Sequence, residues 1–335
     1  MRAWRPASLV VIALGVTSAL CGCQSARVCG ATADAQPLGA SREAPRELGR
    51  PDLLVVPESV AVAPRTGWEA PPRAWLVGGP EGAPVAEGAP VAEGAPSDGG
   101  AGDGDLAKKS ADPTQPLLTF SLNEWYSPSS HQLDGDDDWN TLVFRAVVPF
   151  KTGCVQQIAR FNQPFLTDAP GNVHGVGDLT VFDLAVFKGC GFTYGLGADV
   201  TVPWGDENVT SHKWSGGPAA VLMVPTGKWL FGALVQNYFS FAGESGAPDI
   251  AQTILQPIAV LGLGNGRTIG LSELIFAYDW NKSDWVSAPF GLSFAQLVKI
   301  GGKPVKFSIS ADYNFIDTQP GPDWTVRLGV ALILP

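Results

Sequence analysis

Charge is scarce in this chain. Charged residues make up 16% of its 335 positions, against about 25% in an ordinary soluble domain. The charge present sums to −10. That balance excludes nucleic acid as a partner, because binding a phosphate backbone needs a basic surface. Long apolar runs are also missing beyond the N-terminus, where none reaches the roughly 18–20 residues a membrane helix needs. Histidine occurs only as His131, His174 and His212, too dispersed for a local ligand motif, so no metal site is expected. A Gly-x-Ser-x-Gly elbow is absent. The Gly-x-Gly run at 262–266 opens no helix, which argues against a nucleotide. Ser130–His131 and Ser211–His212 are chain neighbours that alternate faces and make poor catalytic dyads. Neither a cofactor nor enzyme activity is therefore expected.

What is abundant points to β-structure. Hydrophobic residues are 45% of the chain, with 11 Trp, 16 Phe and 40 Gly, while mean hydropathy is only +0.10. Apolar and polar residues must therefore be finely interleaved.

The N-terminus reads as an export signal over residues 1–23. Arg2 and Arg5 supply a positive start, and Leu9 to Leu20 form an apolar stretch too short to span a bilayer. The sequence Leu20-Cys21-Gly22-Cys23 resembles the lipobox of bacterial lipoproteins, with Cys23 as the acylated residue. Gln24 behind it implies sorting to the outer membrane. The alternative is ordinary signal cleavage near Gly22. Residues 24–112 are rich in Pro, Gly, Ala and Glu, and carry a six-residue repeat at 81–86, 87–92 and 93–96. Such a composition cannot bury a core, so a disordered linker is expected.

From about residue 113 to 335 the texture changes. Val305, Phe307, Ile309, Ala311, Tyr313 and Phe315 share one parity, and Lys306, Ser308, Ser310, Asp312 and Asn314 hold the other. Residues 192–202 and 324–332 repeat the pattern. Alternation over about ten residues is the mark of a strand with lipid on one face and a lumen on the other. A soluble sandwich also alternates, but the connections decide against it. Tight Gly-rich turns at 151–153, 188–190, 226–227, 264–266 and 301–302 alternate with longer, acidic links at 127–138, 167–175, 205–216, 242–251, 281–284 and 317–323. Short periplasmic turns opposite long outer loops characterise outer-membrane barrels. The fold expected is all-β: an antiparallel transmembrane β-barrel of about twelve strands. Trp125, Trp139, Trp204, Trp229, Trp280, Trp285 and Trp324 fall at strand ends, where interfacial belts place them.

Parity directs Arg145, Asp199, Gln236, Glu273, Asp279, Lys306, Asp312 and Arg327 into the lumen, with Arg160 less firmly assigned. Charges of both signs there can line a selective pore or lock together and close it. Cys154 and Cys190 fall at the periplasmic end one strand apart. That placement permits a disulfide in an oxidising compartment; two free thiols are the alternative.

The stretch at 229–243, with Gly227-Lys228-Trp229, Leu255-Gln256-Pro257, Lys299-Ile300-Gly301, Lys303-Pro304-Val305 and Gly321-Pro322-Asp323-Trp324, resembles bacterial outer-membrane proteins labelled "neuromedin U". These are akin to the transporter-like barrels of phenol-degradation pathways. The resemblance spans roughly 116–335 and implies a barrel of a Gram-negative outer membrane. It implies outer-membrane lipid, a small-molecule solute and the barrel assembly machinery as partners. Pro335 departs from the aromatic ending usual in such barrels. A passive channel or transporter for small, often apolar molecules is the expectation, with a non-conducting structural or surface-interaction lipoprotein as the alternative.

Overall fold

Period-two alternation gives an extended segment two chemically different faces, and the chain wraps those faces into an outside and an inside. The computed structural model describes residues 103–133, 138–318 and 320–334. The export signal, Cys23, most of the linker, and Asp134, Asp136 and Asp137 of the first acidic loop lie outside the described residues.

The described chain opens with a helix, α1 (Asp103–Lys109). The strands follow in order: β1 (Leu118–Ser127), β2 (Ser130–His131), β3 (Trp139–Thr152), β4 (Val155–Asp168), β5 (Gly175–Val176), β6 (Leu179–Lys188), β7 (Thr193–Val202), β8 (Lys213–Thr226) and β9 (Trp229–Gly243). Then come β10 (Ala251–Gly264), β11 (Arg267–Leu271), β12 (Phe276–Asp279), β13 (Asp284–Ser287), β14 (Pro289–Ile300), β15 (Lys303–Asn314), β16 (Gly321–Pro322) and β17 (Trp324–Leu334). With β11/β12 and β13/β14 each counted as one crossing, the wall has twelve antiparallel strands. It closes where β1 pairs with β17 over Leu118↔Leu334 to Tyr126↔Val326. Closure removes both sheet edges, which lipid could not solvate.

The tight turns set the register. Asn265 and Gly266 between β10 and β11, and Gly301 and Gly302 between β14 and β15, all take positive φ (50°, 74°, 59° and 78°). That is the two-residue geometry matching the twist of paired strands, and it needs glycine or asparagine. Gly197 answers a different demand. A Cβ there would lie 1.8 Å from the Asp183 carbonyl oxygen, so only glycine lets β6 and β7 approach.

Trp204, Trp229, Trp280, Trp285 and Trp324 are exposed on the outer wall. Trp125 and Trp139 depart from the expected belt. Trp125 shares parity with Ser121 and Asn123 and faces inward beneath the Arg327 guanidinium, 4.9 Å away. Trp139 is buried with Leu166, Ala169 and Val209 in a small core under the outer loops. Position at a strand end does not determine facing; parity does.

The outer links fold back rather than spreading into water. Gly321–Pro322 pair with Ser130–His131, and the Asp178 carboxylate accepts from Thr210 Oγ1 and the Ser211 amide. His131 Nε2 lies 2.8 Å from the Asn314 carbonyl, so this histidine is part of the rim's structure.

Candidate functional site

The inner wall is divided. On the β6–β10 side an apolar cluster packs inward: Phe182, Leu184, Val221, Met223, Leu230, Leu234 and Val260 are buried together. On the β1, β3, β15 and β17 side they are hydroxyls, amides and charges. Between the two lies a cavity of about 300 Å³, reached by Ile158, Phe182 and Leu234 from one side and by Arg145, Lys306 and Arg327 from the other.

Cross-lumen contacts shape that cavity. The strand interrupted between β11 and β12 releases Glu273 from the ladder, and its carboxylate meets Arg145 of β3, five strands away around the wall. The fork is bidentate, Nη2–Oε1 at 2.8 Å and Nη1–Oε2 at 3.3 Å. Arg145 Nε also donates to Asn162 Oδ1 at 2.7 Å. Arg160 of β4 lays its guanidinium 4.1 Å over the Phe182 ring, and its Nη2 reaches Gln236 of β9 only at 3.5 Å. Gln236 in turn lies 3.5 Å from Asp199 Oδ2 and donates to Tyr238 at 2.8 Å. Arg327 Nη1 contacts both oxygens of Asp312, at 2.7 Å to Oδ1.

The residues chosen by parity therefore divide into three groups. Arg145, Glu273, Lys306 and Arg327 border the cavity. Asp199, Gln236 and Asp312 are buried in the wall behind it, at 1%, 5% and 3% exposure. Asp279 is inward but sits at the rim, where its carboxylate accepts from the amides of Asn281 and Lys282; it shapes a turn and does not reach the cavity. Arg160, less firmly assigned from sequence, is part of the site. Cys154 and Cys190 are joined in a disulfide that ties the turn before β4 to the turn after β6.

The floor of the cavity was not legible in the composition. Residues 103–112, which read as linker, fold into the mouth of the barrel at the end that carries the tight turns. Ala107 is buried against Leu297 and Ile333, and Ala111 packs on the apolar cluster. Lys108 Nζ donates to the Gly227 carbonyl at 2.6 Å. Lys306 Nζ reaches up to the Ser110 carbonyl at 3.2 Å. Asp112 then reverses the chain into β1 by accepting from the Thr114 amide and hydroxyl and from Gln115. The only sequence signal was this Asp-Pro-Thr-Gln turn behind a Leu-Ala pair. The anchorage is slight: two alanines and part of Leu106 contribute about 2–4 kcal/mol, and two exchangeable hydrogen bonds about 1–3 kcal/mol.

One charge lies on the wrong face for a membrane. Asp183 has the parity opposite to Phe182 and Leu184, so it faces outward between Ala159 and Ala198, and its Oδ1 has no hydrogen-bond partner among the described residues.

No protein-family model matches the sequence, and no curated protein matches it. Solved structures do resemble the fold. The COG4313 outer membrane channel from Pseudomonas putida F1 superposes with a TM-score of 0.51 at 13% identity, covering 67% of this chain and 98% of that one. Outer membrane phospholipase A from Escherichia coli gives 0.35 at 12% identity over 69% and 98%. OpdK, an outer membrane protein of Pseudomonas aeruginosa, gives 0.23 at 10% over 65% and 98%. The fold is thus that of outer-membrane β-barrels. The sequence-based exclusion of an enzyme needs correction: the similar barrels include a phospholipase, so this architecture is compatible with catalysis and does not exclude it. At that TM-score the likeness assigns no activity to this chain.

Proposed function

We propose that the protein is a passive channel or transporter for small molecules in a bacterial outer membrane. The observation that carries this reading is the cavity inside a closed twelve-strand wall, lined by charged and hydroxyl side chains and floored by a weakly seated segment. In the same reading the chain is exported by residues 1–23, acylated at Cys23, inserted by the barrel assembly machinery, and allied to the "neuromedin U"-labelled barrels through the motifs at 227–243 and 299–305. Purified protein in planar bilayers or solute-loaded liposomes tests it. Stepwise conductance or solute release is expected; silence from both the full chain and a variant lacking 103–112 would overturn it. Cys23→Ser should abolish acyl labelling.

A second reading, a non-conducting structural lipoprotein, is favoured by the apolar cluster and α1, which together fill the periplasmic half of the lumen. Under it, deleting 103–112 lowers stability and opens no path.

A further inference from the structure

We propose that the cavity binds small organic anions with an apolar body, and that binding releases the α1 segment through Lys306. The inference rests on the channel reading and names its substrate class and its gate.

The charge inventory comes first. Of the cations bordering the cavity, Arg145 is matched by Glu273, Arg327 by Asp312 and Lys109 by Asp105. The Asp112 carboxylate is engaged by Thr114 and Gln115. Arg160 and Lys306 are left with no carboxylate within ion-pair distance among the described residues. Arg160 in addition has an Nε without a hydrogen-bond partner and only a long contact from Nη2. Its guanidinium borders the cavity, and such a planar group can take a carboxylate in two parallel hydrogen bonds. A ring or short alkyl body has somewhere to go, because Ile158, Phe182, Leu234 and Val260 form the adjoining wall.

Lys306 does two things at once. It borders the cavity and donates to the Ser110 carbonyl, a polar tie between the inner wall and the segment that follows α1. A carboxylate in the cavity is a stronger acceptor for the Lys306 ammonium than a neutral carbonyl, because it adds the attraction between opposite charges in a site shielded from water. The ammonium turns to the anion, Ser110 loses its tie, and the segment is left on its small apolar seat. Anion binding and opening are then linked, each favouring the other.

Calorimetry on the detergent-solubilised full chain, with benzoate as probe and benzamide and benzylamine as neutral and cationic counterparts, reads the site directly. Benzoate alone is expected to bind, and Arg160→Gln should weaken it by about tenfold, the loss of one charged fork. In bilayers benzoate should raise the open fraction of the full chain, and Lys306→Gln should open it more without benzoate while losing the response. A disulfide lock made with Ala107→Cys and Leu297→Cys should abolish the response until reduced, with reductant on the wild type controlling for Cys154–Cys190. Equal binding of benzoate and benzamide, or a benzoate response that survives both Lys306→Gln and the closed lock, overturns the proposal. Benzoate binding without conductance in any variant overturns the channel reading but leaves the anion site; conductance without benzoate binding does the reverse.

Discussion

Breaking the Arg327–Asp312 pair should destabilise the barrel far more than removing both partners. The pair joins β15 to β17 beside the cavity, with Arg327 8% and Asp312 3% exposed. Arg327→Ala leaves a sealed carboxylate with no cation, a change that costs about 3–5 kcal/mol. The lost contact with the Trp125 ring adds about 1 kcal/mol. Against this, Arg327 Nε has no partner in the wild type, so deleting the side chain removes one unmet donor, worth about 1–3 kcal/mol. The net expectation is about 3 kcal/mol, within a range of roughly 1–5. Replacing both residues with leucine removes the charge from both sides and should fall within about 1–2 kcal/mol of the wild type. The assay is urea unfolding of the full chain in lipid vesicles, followed by tryptophan fluorescence, with the two single variants and the double variant compared as a cycle. If the single effects simply add to the double, the pair is not coupled and this account of the inner wall is wrong.

Other expectations follow from single features. Asp183→Ala removes a carboxyl from the outward face of β6 and should stabilise the barrel in bilayers by roughly 1–2 kcal/mol; an unfolding midpoint that falls would mean the carboxyl has a use. Lys213 Nζ donates to Asp249 Oδ1 at 2.9 Å, and that hydrogen bond, more than any other cause, lowers the Asp249 pKa from its usual value. A depressed folded pKa means the contact is present at neutral pH and is lost as the pH falls through the depressed value. Protection of amides in 244–250, measured against their intrinsic exchange rates, should therefore persist near pH 5 and fall only in stronger acid, and Asp249→Asn should remove that dependence. Cys154→Ser with Cys190→Ser should lower stability by up to about 3–4 kcal/mol from the released loop entropy, measured in the same urea assay; an unchanged midpoint would show that the strand ladders alone hold the two turns.

Much of the wall was legible because its determinants are local. The β15 alternation from Val305 to Phe315, the Asn265–Gly266 and Gly301–Gly302 turns, and the short–long rhythm of connections each report chemistry within a few residues, and the observed strands follow them closely. The apolar cluster was not legible for the opposite reason. Where Phe182, Leu184, Val221 and Met223 face inward, both faces of β6 and β8 are largely apolar, Asp183 apart, and alternation fades, so a packed lumen reads like any buried strand. Trp125 departs from the belt because parity, and not its place at the end of a strand, sets its facing.

By itself, then, the sequence determined the run of antiparallel strands, the turn geometry and the inward or outward sense of side chains wherever apolar and polar residues alternate, because a pleated strand alternates with period two whatever surrounds it. Only the closed barrel decided who meets whom across the lumen. That Arg145 finds Glu273, that Arg160 and Lys306 find no carboxylate within ion-pair distance among the described residues, and that Ser110 meets Lys306 depend on strands far apart in sequence being brought face to face. No spacing along the chain encodes that distance. The same closure gave residues 103–112 a surface to fold on, which is why a segment too small to bury a core of its own becomes the floor of the site.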